Sequence, residues 1–457
     1  MRFLAEMIPS PRSLAVDLLD RIDRTGAFAE PLLDACLRRH ALANTADRHL
    51  LTSLVYGTLR MRGHLDWIIE RLYKGTFASM QDGIKNILRT ALYQFLFMER
   101  IPAFALVNEA VELTRNRYPG REHLVNALLR NAVRRGRSHD FPYPDMGKNP
   151  EEHISVVCSH PLWLVHRWSR MYGPEQTLSL CRANNRVPPV TLRVNTLKST
   201  RPGLKALLED EGFSVTESHF SPDGLQLNGP SDDLRSSSAG RQGLFLLQDE
   251  ASQLIARLVS PEPGEEILDL CCGVGVKTTH LAALMKNGGR ILAVDLYPGK
   301  LDALNRLAAK MGITMVETLK ADASTQWGEL LQEKFDRVLV DAPCSGLGTL
   351  RRNPEIKWRL KPQDPSSHGR LQAGIMDRAA ALLRRGGRLV YSTCTILPEE
   401  NELLIGNFLS RHGEFSISPS DGISPEASTL IGEDGFFRTA PDTSGMDGFF
   451  AAILVKH

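Results

Sequence analysis

Two cysteines stand where covalent chemistry is possible in this 457-residue chain. Cys344 lies in Asp341-Ala-Pro-Cys-Ser-Gly and Cys394 in Tyr391-Ser-Thr-Cys-Thr, each just past an apolar run that reads as a strand. In a doubly wound sheet, the loops after such strands open on the carboxyl edge where ligands bind. A free cysteine is ordinarily a core residue, but two on ligand-side loops suit nucleophilic catalysis. One chemistry that needs two such groups is methylation at carbon 5 of a cytosine, a carbon too weakly nucleophilic to take a methyl group unaided. A thiolate adding at carbon 6 gives carbon 5 carbanion character, and a second group must then strip the carbon 5 proton so that the thiolate can leave. Asp341 stands where an acid would support ring N3 and the amino group. The base must be unstacked for any of this. Spacing alone leaves open which cysteine attacks.

A methyl donor needs its own site. Leu268-Asp269-Leu270-Cys271-Cys272-Gly273-Val274-Gly275-Val276-Lys277 reads as a strand, a glycine-bearing loop and the start of a helix. A phosphate-cradling loop needs glycines where this chain has Cys271 and Val276, and the dinucleotide fingerprint fails at Thr278. Asp295, Asp322 and Asp341 close the next strand regions. A carboxylate at Asp295 can accept both ribose hydroxyls, and one at Asp322 can bind an adenine amino group. Helix N-capping would also use an aspartate there, yet acidic residues on successive strand ends favour a cationic sulfonium over a pyrophosphate.

The elements that position these residues fall into distinct stretches. From Ser10 to about Arg137, apolar residues recur at helical spacing, most clearly at 84, 87, 88, 91, 92, 95 and 96. The helix over 123–135 ends in Arg130, Arg134 and Arg135, with Arg137 just beyond; the cluster suits a helix C-terminus and also phosphate contact. Residues 138–150 carry three prolines and read as a linker. Strands are expected at 190–195 and 213–217, with a helix at 203–212. After Pro263-Gly264, strand-like runs at 266–270, 290–295, 337–341, 388–392 and 448–455 alternate with helical runs at 278–285, 299–310, 372–384 and 399–410, which implies a mostly parallel sheet covered on both faces.

Composition bounds the rest. Residues 1–140 hold 21 Lys and Arg against 15 Asp and Glu, an excess of six, whereas the remainder holds 34 against 38. A basic module joined to a near-neutral one points to a polyanionic partner. Arg351, Arg352, Lys357, Arg359 and Lys361 around Trp358 are expected to add phosphate contacts with an aromatic interleaved. Seven scattered cysteines without a C-x-x-C pair argue against a disulfide framework and zinc, and for a reducing cytoplasm. No metal and no membrane partner are expected; the oligomeric state is not legible.

These motifs resemble those of the RNA cytosine-5 methyltransferases of the Nol1/Nop2/Sun group, and most closely its bacterial Sun (Fmu, RsmB) branch. Asp341 to Gly346, with Arg351-Arg352-Asn353-Pro354 and Ile356-Lys357-Trp358, looks like the family's fourth motif. Ser392 to Thr395 followed by Pro398-Glu399-Glu400-Asn401 looks like its sixth. Arg193-Val194-Asn195 and Gln248-Asp249-Glu250-Ala251-Ser252 resemble segments preceding the catalytic fold. Val107 to Leu113 and Leu124 to Arg130 resemble a NusB-like RNA-binding domain.

The resemblance implies an α/β fold: a C-terminal class I, Rossmann-like methyltransferase domain over 246–457, preceded by an all-helical NusB-like domain over 1–140, a linker over 141–160 and a small α/β RNA-binding segment over 161–245. It implies S-adenosyl-L-methionine as donor, S-adenosyl-L-homocysteine as product, and 16S ribosomal RNA as partner, methylated at the cytosine numbered 967 in that family. Cys394 is then the nucleophile and Cys344 assists release. The cofactor set becomes Cys271, Cys272, Gly273, Val274, Gly275, Val276, Lys277, Asp295, Asp322 and Asp341. Arg193, Asn195, Arg351, Arg352, Lys357, Arg130 and Arg134 become RNA contacts. Val276 departs from the family's usual glycine, so Gly273 and Gly275 must carry a shifted turn. The same chemistry on transfer RNA or another RNA, and a catalytically weak RNA-binding assembly factor, stand as alternatives.

Overall fold

The computed structural model describes residues 9–40, 45–136, 141–231, 233–325, 334–418 and 424–457. Contacts divide the chain into two compact units. One runs to Arg186 and includes Leu350–Leu360; the other comprises Val187–Thr349 and Lys361–His457.

The first unit is helical. Its opening helix, Pro11–Thr25, starts where the Ser10 hydroxyl accepts from the Ser13 amide at 3.2 Å, with Pro11 in the first turn, and stops at left-handed Gly26. Helices Thr45–Leu72, Asp82–Phe97, Ala103–Arg117 and Glu122–Arg135 bury the stripe that the spacing predicted, including Ile84, Ile87, Leu88, Ala91, Leu92 and Phe95. A charged knot crosses this core: Arg89 grips Asp66 through two bonds of 2.6 and 2.8 Å, and Arg62 reaches Asp23 at 2.7 Å. Arg137 and residues 138–140 lie outside the described residues. The stretch expected as a linker is packed where it is described: Phe141 is buried, the Tyr143 ring stacks on Trp67, and Pro150–Val157 is a helix. Helices Leu162–Tyr172 and Pro174–Asn184 also belong to this unit. No helix among the described residues is long and apolar enough to cross a membrane.

The second unit holds two sheets. Four antiparallel strands, β1 (Val190–Val194), β2 (Val215–Glu217), β3 (Gly224–Leu227) and β4 (Phe245–Leu247), pair in the order β2-β3-β1-β4. The larger sheet contains β5 (Glu266–Leu270), β6 (Arg290–Asp295), β7 (Val316–Lys320), β8 (Phe335–Asp341), β9 (Leu383–Thr393), β10 (Phe415–Ile417), β11 (Phe437–Arg438) and β12 (Phe450–Lys456). Its order is β10-β12-β9-β8-β5-β6-β7, with β11 on β12. Strands β5 to β9 are parallel, while β12 runs antiparallel to β9. The central strands are apolar throughout because helices cover both faces, giving one core around Leu268, Val338 and Leu389 and another around Ile267, Leu339 and Val390. This is the mostly parallel, doubly covered sheet that the β–α alternation implied, and the Rossmann-like arrangement that the resemblance implied. The order reverses beside β5, so the loops after β5, β6, β8 and β9 converge on one carboxyl edge.

Candidate active site

The loop after β5 is shaped by three left-handed residues: Cys271 (φ 63°), Gly273 (φ 60°) and Gly275 (φ 86°). At Gly275 a methyl group would collide with Leu304, whereas the space above Gly273 is open for a ligand. Val276 is the first residue of helix Val276–Leu284 and has helical backbone, so the missing family glycine costs the turn nothing. Asp295, at the end of β6, is buried; its carboxylate accepts the Gly273 amide at 3.0 Å and the Tyr297 amide at 2.9 Å, with Lys300 Nζ at 3.4 Å. Asp322 is exposed and accepts from the Ser324 amide and hydroxyl at 2.9 and 2.6 Å, which holds its carboxyl below the usual range. Asp269, within β5, accepts from Thr278 Oγ1 at 2.6 Å while its Oδ1 has no partner. Burial pushes its pKa up to about 7. Burial likewise raises the Cys271 thiol to about 12, and that of Cys272 upward, so neither is a ready nucleophile.

The cysteine edge is assembled by β8 and β9. Register aligns Asp341 with Ser392, and the Ala342 amide donates to the Ser392 carbonyl at 2.9 Å, so the two loops leave the sheet side by side. Cys344 Sγ and Cys394 Sγ lie 3.2 Å apart as free thiols. The hydrogen bond to Cys394, reinforced by burial, pushes the Cys344 thiol well above its ordinary range. Either sulfur can be the donor in this contact. Asp341 accepts from Ser392 Oγ at 3.0 Å and pairs with Lys277 Nζ at 2.7 Å. Burial alone would depress the Lys277 pKa, but the Asp341 carboxylate outweighs it and the ammonium persists. Lys277 thus ties the loop after β5 to the cysteine edge.

Sequence reasoning missed the residues that lock this edge. Glu400 is fully buried; its Oε2 accepts the Ser345 amide at 2.9 Å and Gln372 Nε2 at 3.1 Å, and Gln372 also holds the Pro343 carbonyl at 2.9 Å. Asn401 accepts from Thr393 Oγ1 at 2.6 Å and donates to the Thr395 carbonyl at 3.0 Å. Ser345 and Thr395 share a 2.7 Å hydroxyl bond. The signal was present in Pro398-Glu399-Glu400-Asn401, polar residues placed just past the Cys394 loop.

Most of the expected RNA contacts are elsewhere. Arg193 and Asn195 are fully buried within the second unit, where backbone carbonyls and amide side chains receive their donors. Lys357 is buried within the first unit, donating to the Arg60 carbonyl at 2.9 Å and to Asn185 Oδ1 at 3.3 Å; burial lowers its pKa to about 7. Arg351 is buried too, its carbonyl accepting from Arg60 at 3.0 Å, and Trp358 Nε1 donates to the Leu59 carbonyl at 2.7 Å. The basic-aromatic segment is thus largely a packed plug, because carbonyls of helix Thr45–Leu72 satisfy its donors. Arg352 is half-buried. Arg130 and Arg134 are exposed, on the rim of a groove of about 560 Å³ lined by Ala103, Val107 and the 71 % exposed Phe104.

Comparison with known proteins places these features in a family. The model described as 16S rRNA methyltransferase RsmB/F matches residues 256–455, the NusB family model matches 9–134, and a ferredoxin-like domain model of RsmF/B-like methyltransferases matches 160–232. The probable ribosomal RNA small subunit methyltransferase B of Bacillus subtilis is 34 % identical over 453 residues, covering 98 % of this chain and 99 % of that protein. The ribosomal RNA small subunit methyltransferase B of Escherichia coli O6:K15:H31 is 32 % identical over 451 residues, covering 97 % and 98 %. The crystal structure of PH0851 aligns with a TM-score of 0.83 at 29 % identity, covering 98 % of this chain and 99 % of that one. The likeness is end to end, and with it the chain belongs to the 16S rRNA methyltransferase RsmB/F family.

Proposed function

We propose that the chain transfers a methyl group from S-adenosyl-L-methionine to carbon 5 of a cytosine in 16S ribosomal RNA, the base numbered 967 in the family, through a covalent bond between Cys394 and carbon 6. The observation that carries this reading is the 3.2 Å pair of free thiols with Asp341 and Lys277 beside it.

The site fits the donor. Open space lies above Gly273, Asp295 is buried at the strand end, and Asp269 Oδ1 lacks a partner. The loop from Cys271 to Lys277 would hold the amino acid portion, Asp295 the ribose and Asp322 the adenine amino group. When bound, S-adenosyl-L-methionine supplies an electrophilic methyl group on a cationic sulfur.

The chain's own residues do the rest. Cys394 Sγ lies 3.2 Å from Cys344 Sγ, and the Lys277 ammonium, held by Asp341, is the cation of this edge. The thiolate adds to carbon 6, with Asp341 placed to support N3 and the amino group. Once carbon 5 is methylated, its proton passes to solvent, the 5,6 double bond re-forms and the carbon–sulfur electron pair returns to Cys394; Cys344, 3.2 Å from Cys394, is positioned to assist. Outside this edge, Arg130 and Arg134 supply charge beside exposed Phe104, a combination that suits single-stranded RNA.

Tritiated methyl transfer tests the substrate. The reading expects incorporation into 16S RNA, free or in 30S particles, and none into transfer RNA. Transfer to transfer RNA alone would move the activity to a different substrate.

A further inference from the structure

Arg193, on β1 of the four-stranded sheet, is enclosed on all sides. Its Nη1 donates to the Val276 carbonyl and to Gln248 Oε1, both at 2.6 Å, and Nη2 donates to Thr279 Oγ1 at 3.0 Å. Val276 and Thr279 form the first turn of the helix that closes the loop after β5. Thr279 passes the contact on, donating from Oγ1 to the carbonyl of left-handed Gly275 at 2.8 Å. The next residue, His280, is held as well: its Nε2 lies 3.1 Å from Asp223 Oδ2, which also accepts from Arg257 at 2.5 Å. Asn195, beyond the end of β1, donates to the carbonyls of Gly243 and Met311 at 2.9 and 3.0 Å.

Burying a guanidinium carries a desolvation penalty that an apolar side chain filling the same space would avoid. What the planar fork alone supplies is fixed, simultaneous geometry for several acceptors. Here two of those acceptors belong to the turn that shapes the loop, and a third residue, Gln248, stands at the entry to the helix Glu250–Val259.

We infer that Arg193 is a positioning residue of the S-adenosyl-L-methionine site: it sets the 271–277 loop from behind, and the four-stranded sheet serves the methyl donor. The inference rests on the reading of that loop as the cofactor site. The sheet is then an integral wall of the transferase rather than a module whose arginine reads RNA.

The test uses the full chain with Arg193→Met, Arg193→Lys and Thr279→Val, each assayed where circular dichroism shows it folded. S-adenosyl-L-homocysteine affinity is measured by calorimetry and affinity for a 16S RNA fragment by filter binding. Arg193→Met should weaken S-adenosyl-L-homocysteine by about tenfold or more, Arg193→Lys by less, and Thr279→Val by roughly threefold, since each loses hydrogen bonds to the turn. RNA affinity should hold within about twofold, and KM for S-adenosyl-L-methionine should rise while kcat at saturation changes little. If Arg193→Met does not fold, the other two variants carry the comparison. Wild-type binding with unchanged affinity in every folded variant overturns the inference. RNA affinity that falls while S-adenosyl-L-homocysteine affinity holds overturns it too, in favour of an RNA contact. A wild type that fails to bind S-adenosyl-L-homocysteine instead refutes the cofactor reading beneath it.

Discussion

Replacing Glu400 by alanine probes how the two cysteine loops are held together. Its carboxylate accepts two buried donors, the Ser345 amide and Gln372 Nε2. Truncation leaves both unpaired at roughly 1–3 kcal/mol each, or about 2–6 kcal/mol in all. The activity loss should be larger than the stability loss alone explains. Ser345 follows Cys344 directly, and a displacement of about 1 Å at a reacting group costs on the order of 100-fold in rate. Glu400→Gln is the informative companion, because Oε1 has no partner and one oxygen remains to accept both donors. We expect Glu400→Ala to unfold several degrees earlier and to lose on the order of 100-fold in kcat, with cofactor affinity retained and most activity restored in Glu400→Gln. The assay pairs thermal unfolding with single-turnover methyl transfer to 16S RNA. Wild-type kcat in Glu400→Ala, or a Glu400→Gln variant as impaired as Glu400→Ala, would refute the role given to this carboxylate.

Other perturbations follow from the same geometry. Asp269 has its pKa raised by burial to about 7, from 3.8; above pH 4 the unfolded chain releases this proton while the native one keeps it. Its contribution to stability is therefore intact below pH 4 and lost as pH rises towards 7, at most ~4 kcal/mol. Asp269→Asn should flatten that fall in denaturant titrations compared across pH, and an identical slope in both proteins would contradict the assignment. Gly275→Ala combines left-handed strain with a collision on Leu304 and should cost roughly 2–4 kcal/mol and S-adenosyl-L-homocysteine binding. Val276→Gly, by contrast, should lose a few tenths of a kcal/mol, about the helix-propensity difference, and gain no affinity in calorimetry. Neutralising Arg130 and Arg134 together should lower the salt slope of RNA binding by about 1.4, measured by filter binding from low to high salt; an unchanged slope would remove them from the RNA surface.

Much of this architecture is legible in the sequence. The apolar runs of β5, β6, β8 and β9 declare buried parallel strands, and acidic or cysteine residues placed just after them mark the carboxyl edge. β10 and β11, of three and two residues, carry too little pattern to be seen. Charge was the poorer guide. Arg193, Lys357 and Arg351 read as RNA contacts because cations are usually solvated, yet all three are buried, and carbonyls and amide side chains that only the tertiary fold brings near accept from Arg193 and Lys357. Val276 looked like an obstacle because the position of the left-handed turn cannot be read from residue identity alone; Cys271, Gly273 and Gly275 take it instead. Glu400 and Asn401 were legible only as part of a motif and without a role, because their partners, such as Ser345 and Gln372, lie on other elements.

The covalent division of labour between the cysteines is tested most directly by incubating wild type, Cys394→Ala and Cys344→Ala with 16S RNA and S-adenosyl-L-methionine, then resolving the products on denaturing gels with mass mapping of any adduct. The account predicts turnover without accumulated adduct in the wild type, neither transfer nor adduct in Cys394→Ala, and in Cys344→Ala a methylated RNA adduct mapping to Cys394. Methyl transfer that persists without Cys394, or an adduct that maps to Cys344, would contradict it.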